Sequence, residues 1–412
     1  MRSITVHAAF VAAALAFASL LPRTQAATSG GQVLLLFNGS DGSGPNASLI
    51  FDHSGNLYGT ASGGGAYGYG TVFELSPTHN GTWIETTLHS FNRDGIDGAN
   101  PGGALIQDSA GNLYGTTSAG GSDQNGAVFE LTRSENGDWS EKILFSFHGT
   151  DGSAPAGSLI FDARGNLYGT TAEGGDHNGD ECIYQGCGNV FELSPKSNGE
   201  WSETVLHNFD SADGSTPYGN VIFDAQGNLY GTTTGAWTPP GYNGNVFELI
   251  PSANGEWTEK ILYAFSNADT VITAGLTFDK TGNLYGTTWT GGAHAAGSVF
   301  KLTLGANGRW SETTLHSFDG KDGSFANAGV VFDAEGNLWG TTAGYGSDLG
   351  SVYELIPNSR GQWTIQVLHT FHQDEVNGGV LFDSLGNIYT TAAQGGSGNC
   401  SGGCGMVFTL TP

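Results

Sequence analysis

Apolar and polar residues alternate in short runs along this chain, four runs to a unit, with glycine-rich turns between them. The first run ends in Phe-Asp, as in Leu49-Ile50-Phe51-Asp52 and Leu159-Ile160-Phe161-Asp162. The second is Gly-Asn-Leu-Tyr-Gly-Thr-Thr or a close variant, starting at Gly55, Gly111, Gly165, Gly227, Gly282, Gly336 and Gly386. Trp339 replaces the Tyr in the sixth copy, and Ile388, Thr390 and Ala392 loosen the seventh. The third run is Val-Phe-Glu-Leu, at Val72, Val128, Val190 and Val246, with Lys301, Tyr353 and Thr409 as departures. The fourth opens on Trp83, Trp139, Trp201, Trp257, Trp310 or Trp363 and closes on a Phe such as Phe91 or Phe147. Alternation of this kind predicts half-buried strands, and no long 3.6-period pattern appears after the N-terminus.

The residues between the runs are turn formers. Asp-x-x-Gly, as in Asp52 to Gly55, places a carboxylate where it can cap a turn and a glycine where positive φ is needed. Asn-Gly at Asn80, Asn136, Asn198, Asn254 and Asn307 predicts primed hairpin turns between the third and fourth strands. The glycine inside the second strand, such as Gly59 or Gly169, has no propensity reason to be there and signals close approach by another part of the structure.

The unit recurs about every 54 residues, and a four-stranded unit cannot bury its apolar faces alone. The seventh repeat stops just after Val407-Phe408-Thr409-Leu410, without a fourth strand. Residues 32–37 have the missing pattern, and Asp41-Gly42-Ser43 follows them as Asp151-Gly152-Ser153 follows Phe147. The expected fold is therefore all-β: one seven-bladed β-propeller over residues 27–412, four antiparallel strands per blade, with the N-terminal strand closing the last blade and protecting its edge. An open β-solenoid is the alternative, and it would need end-capping segments that the sequence does not show.

These seven GNLYGTT-type cores resemble the GloVer tandem-repeat family, from about Val33 to Leu410. The resemblance implies an exported bacterial repeat protein with a propeller-like fold, and it brings no established activity or catalytic residues. Family members often end in a surface anchor, whereas this chain reaches Pro412 without an apolar tail.

Residues 1–26 read as a secretory signal, with Arg2 at the start, an apolar segment over residues 8–21 and small residues near Ala26. A secreted, periplasmic or cell-surface location follows, with no membrane span in the mature chain. The formal net charge is −26 at pH 7, and two of the 13 cationic residues, Arg2 and Arg23, lie in the leader. So acidic a chain lacks the basic face that nucleic-acid partners require. A monomer is expected.

Features present in every unit build the unit, so candidate chemistry is sought where the repeat breaks. His89, His207, His316 and His369 share one fourth-strand position with Leu35, Phe145 and Tyr263, which marks a packing slot. Cys182 with Cys187 and Cys400 with Cys404 fall in two loops and suggest two local disulfides in an exported protein. The Asp-Gly residues from Asp41 to Asp322 make calcium the metal to consider, although their loops lack dense carboxylate spacing, and no other cofactor is indicated.

Loops between second and third strands collect the irregular residues. Tyr67, Trp237, Tyr242, Trp289, His294 and Tyr345 are the candidate ligand-binding set, because exposed rings beside Gly and Asn backbone suit a carbohydrate or an extracellular protein. The leading reading is a non-enzymatic binding or scaffold propeller. The alternative is an extracellular lyase or hydrolase at the mouth of the central channel, with His177 and Asp180 as its acid–base or metal candidates.

Overall fold

Each repeat folds as one antiparallel sheet whose strands follow one another in chain order. The computed structural model describes residues 30–176, 186–235, 244–265, 270–345, 349–372, 374–396, 400 and 402–412. Seven sheets are present, and we number them as blades one to seven from the first GNLYGTT core. Blade one pairs Ile50–Phe51, Leu57–Ala61, Thr71–Pro77 and Trp83–Ser90 from first strand to fourth. Blade two adds a short segment, Gly98–Pro101, along its second strand Leu113–Gly120. In blade seven the fourth strand is Gly30–Leu36, which pairs with Met406–Thr411 from Gly30↔Thr411 to Leu36↔Met406. The first and last described strands thus close the propeller, as the repeat count predicts.

The repeated residues account for the blade. Asp52 Oδ1 accepts from the amides of Ser54 and Asn56, at 2.8 and 2.9 Å, while Oδ2 accepts from Asn56 Nδ2 and the Tyr58 hydroxyl. Gly55 turns the chain there at φ 85°. The same device recurs in each blade, with Trp339 Nε1 donating to Asp333 where the others use Tyr. At Asp279 burial opposes ionisation, but hydrogen bonds from Asn283 and Thr281 outweigh it and hold the carboxyl down to about 2.

The second-strand glycine is explained by its own blade. A Cβ at Gly59 would stand 2.5 Å from the Phe73 ring and 2.8 Å from Leu49. The close approach is therefore real, and a side chain makes it. The Asn-Gly hairpins differ from the primed turns expected of them. Thr78 N donates to Thr82 O and Gly81 N to Thr78 O, with positive φ at Gly81 and not at Asn80. This is a longer loop that ends on a left-handed glycine, and the Thr78 and Thr82 hydroxyls help to hold it.

Burial is organised between blades. One cluster joins Tyr58, Val72 and Phe91 of blade one to Leu105, Leu113, Phe129 and Leu131 of blade two, with Trp139 packed against it. Every fourth strand carries a bulge, at Leu88 in blade one and Leu34 in blade seven, which turns one leucine toward the seam. The fourth-strand Trp residues pack across seams, for example Trp139 on Tyr58 at 6.2 Å. The histidine slot does pack, His89 lying 4.7 Å from the Phe91 ring. It also does more than the sequence suggested: His89, His207 and His316 pair with Asp97, Asp213 and Asp322.

A disulfide joins Cys400 and Cys404. Cys187 is disulfide-bonded as well, while Cys182 lies outside the described residues. The Asp-Gly carboxylates considered for calcium cap their own turns: Asp41 accepts from Asn38 N, Asp151 from His148 N and Asp213 from Asp210 N. No helix among the described residues is long and apolar enough to cross a membrane.

Candidate ligand-binding site

The threonine after the second-strand glycine sets the channel wall. Thr60 Oγ1 donates to Gly103 O of the next blade, Thr116 to Gly157, Thr170 to Gly219, Thr232 to Ala274, Thr287 to Ala328 and Thr341 to Gly378. Thr391 completes the circuit on Ala47 O at 3.0 Å. Neighbouring wall segments then meet backbone to backbone. A Cβ at Gly103 would fall 2.7 Å from Gly157 O, so only small residues fit. This narrow collar encloses about 120 Å³.

One residue before the collar lies a channel-facing position whose residues vary from blade to blade. In blade order these are Asn46, Gly102, Ala156, Tyr218, Thr273, Asn327 and Asn377, each nine positions ahead of its GNLYGTT core. Four of them form a hydrogen-bonded chain around the wall. Thr273 Oγ1 donates to Asn327 Oδ1 at 2.8 Å, Asn327 Nδ2 reaches Asn377 Oδ1 at 3.5 Å, and Asn377 Nδ2 reaches Asn46 Oδ1 at 3.3 Å. Asn46 Nδ2 continues to Ser62 Oγ. Each amide fixes the flip of the next, which leaves the remaining donor and acceptor capacity facing one space.

That space is a cavity of about 710 Å³ at the channel mouth. Beyond the ring of seven it is lined by Thr234, Val271, Trp289, Thr290 and Tyr345. Trp289 directly follows the blade-five core, where blades one and two have Ser62 and Ser118. Its ring lies 6.1 Å from Tyr345, and Phe325 packs on both at 5.5 and 5.4 Å. Phe325 holds φ at 61°, a strained value for a bulky residue, pinned by its amide on Ala296 O and by Ala343 N on its carbonyl. Burial raises the Tyr345 hydroxyl above its ordinary value, and Glu375 adds to it; for Tyr218 the causes are burial and then Glu173. Both phenols are therefore neutral hydrogen-bonding groups at physiological pH.

Of the residues singled out by sequence, Trp289 and Tyr345 are brought together here. Tyr67 and His294 are exposed and are not part of the cavity lining. Trp237, Tyr242, His177 and Asp180 lie outside the described residues. Sequence reasoning missed Tyr218, Thr273, Phe325 and the three asparagines. For all of these but Phe325 the available signal was variation at one aligned position, nine residues before each core, rather than irregularity in the long loops.

The sequence matches the Gloeobacter/Verrucomicrobia repeat family over residues 20–238, 86–277 and 237–412, and the chain belongs to that family. No curated protein matches it. Among solved structures it is similar in fold to the polysaccharide lyase Uly1, with 12% identity, 89% of each chain covered and a TM-score of 0.52. A luciferin-regenerating enzyme matches at 12% identity over 93% of this chain and 95% of that one, with a TM-score of 0.44. A Cellvibrio cellulosa α-L-arabinanase complexed with arabinohexaose matches at 14% identity over 68% and 96%, with a TM-score of 0.35. At these identities the likeness is one of fold.

Proposed function

We propose that this chain is an exported binding propeller that takes an uncharged carbohydrate at the mouth of its central channel. The observation that carries the reading is the composition of one cavity: aromatic rings at Trp289, Tyr345 and Tyr218 beside the Thr273–Asn327–Asn377–Asn46 chain. A sugar offers C–H faces to rings, and hydroxyls that donate and accept, which amides can satisfy together. The cavity volume is within the range of small-ligand sites. The acidic chain, at −26, disfavours anionic glycans through its overall field. Small residues in blades two and three, Gly102 and Ala156, leave one side of the mouth open for the rest of a chain.

The test is a thermal-shift and calorimetric screen of the protein against neutral and anionic oligosaccharides. Binding of a neutral glycan that Trp289→Ala or Asn377→Ala removes supports the assignment. A preference for anionic glycans, or binding indifferent to both substitutions, overturns it.

A catalytic reading has one observation in its favour. Burial raises the carboxyl of Glu375, which acts electrostatically on Tyr345, and raises that of adjacent Asp374 despite the opposing His372. An upward shift is the direction that suits a carboxyl to general-acid work. Release of new reducing ends by the parent protein and none by Glu375→Gln would favour this reading over simple binding.

A further inference from the structure

We propose that His89, Asp97 and Glu141 form a divalent-metal site, suited to zinc, that fastens blade one to blade two. His89 is on the fourth strand of blade one, Trp83–Ser90, and Glu141 on that of blade two, Trp139–Ser146; Asp97 comes from the connection between the blades. One ligand atom from each lies within 4.8 Å of the others. Imidazole nitrogen with two carboxylates is a zinc donor set, and ligands about 2.0–2.2 Å from a tetrahedral ion stand roughly 3.3 Å apart. His89 Nε2 is 3.3 and 3.2 Å from the two oxygens of Asp97.

Two other seams serve as internal controls. His207 is 2.9 Å from Asp213, and His316 is 2.7 Å from Asp322, each touching one oxygen as an ordinary hydrogen bond. Only the first seam has the longer connection, six residues from Phe91 to Asp97 where Phe209 to Asp213 takes four. Asp97 is correspondingly deeper, at 6% exposure. The third ligand is unsatisfied: Glu141 Oε1 is fully buried with no hydrogen-bond partner among the described residues, a state it shares with Glu259 Oε1 in the His207 seam. What sets the first seam apart among the described residues is that its three ligand atoms lie together. A buried carboxylate oxygen without a donor is costly, and a cation between it, Asp97 and His89 would satisfy it. Glu259 occupies the same position beside His207, whereas Ile365 replaces it beside His316.

The experiment is zinc titration of chelator-treated full-length protein, read by calorimetry, by metal content after desalting and by melting temperature. One zinc per chain is expected, with a rise in melting temperature. Glu141→Gln and Asp97→Asn, both near-isosteric, should lose the zinc and the rise while keeping the parent circular dichroism, and His207→Ala should keep them. The proposal is overturned if the parent retains no zinc, if both near-isosteric variants retain it, or if His207→Ala is the substitution that removes it. Should one of the two variants fail to fold, the other decides.

Discussion

Two positions of the repeat show how this molecule divides its work. The Asp-x-x-Gly-Asn turn has the same carboxylate, amide and aromatic partner in blade after blade, from Asp52 with Asn56 and Tyr58 to Asp383 with Asn387 and Tyr389. The channel-mouth position carries Asn, Gly, Ala, Tyr, Thr, Asn and Asn in blade order. Both are built on the same backbone frame. Repetition at the first says that its chemistry is needed to make a blade, and variation at the second says that its chemistry serves something seen only once. The mouth is consequently asymmetric on a nearly symmetric frame, with rings at blades four to six and small residues at blades two and three.

Substitutions separate the two regions, and the largest effect belongs to the frame. Removing residues 31–37 would strip Met406–Thr411 of its partner, and the expected outcome is a shift to aggregated species, relative to the parent, by size-exclusion chromatography. Gly169→Ala brings a Cβ within 2.7 Å of the Phe191 ring and should cost about 1–3 kcal/mol in denaturant unfolding, with ligand binding unchanged. Asp279→Asn weakens a turn made by several charge-assisted bonds and should cost about 1–2 kcal/mol. Because the folded carboxyl is held down to about 2 against an ordinary 3.8, its contribution is present above the higher value and is lost as pH falls through the lower. The variant should therefore lose less stability than the parent across that acid window.

The seam carboxylates have the opposite sign. Burial, with Asp151 or Asp213 adding to it, pushes Glu203 and Glu259 up to about 7. The folded state then holds protons that the unfolded chain releases above its ordinary 4.5, so this contribution is full below 4.5 and disappears as pH rises through 7. Melting temperature should be lower near pH 8 than near pH 5.5, and replacing both with Gln should reduce the difference. Smallest of all for stability is the mouth: Asn377→Ala is expected to change unfolding by about 1 kcal/mol or less while weakening ligand binding.

How much of this was legible in the sequence follows from the same division. Whatever repeats was readable, since Asp52, Gly59, Val72 and Trp83 each recur at a fixed offset, and the missing fourth strand of blade seven could be found at residues 32–37. The threonine circuit was not readable, because Thr60 and Thr391 look like ordinary strand residues until their acceptors, Gly103 and Ala47, are placed by the neighbouring blade. The mouth was half legible. Trp289 and Tyr345 stood out as aromatics in irregular loops, but Asn46, Asn327 and Asn377 sit in short connections that resemble turn formers. Only closure of the ring brings such distant positions as Asn46 and Asn377 within 3.3 Å. The seam pairs were hidden for a related reason: a slot shared by His, Leu, Phe and Tyr looks apolar, and the aspartate that meets His207 lies beyond the end of its strand.

The central claim, that the variable mouth on the repeated frame is where a ligand binds, is tested most directly by calorimetric titration of a neutral-oligosaccharide panel into the parent, Trp289→Ala and Asp279→Asn. The account predicts binding by the parent and by Asp279→Asn, and none by Trp289→Ala with the parent circular dichroism retained. Equal binding by all three, or binding lost only with Asp279→Asn, would contradict it.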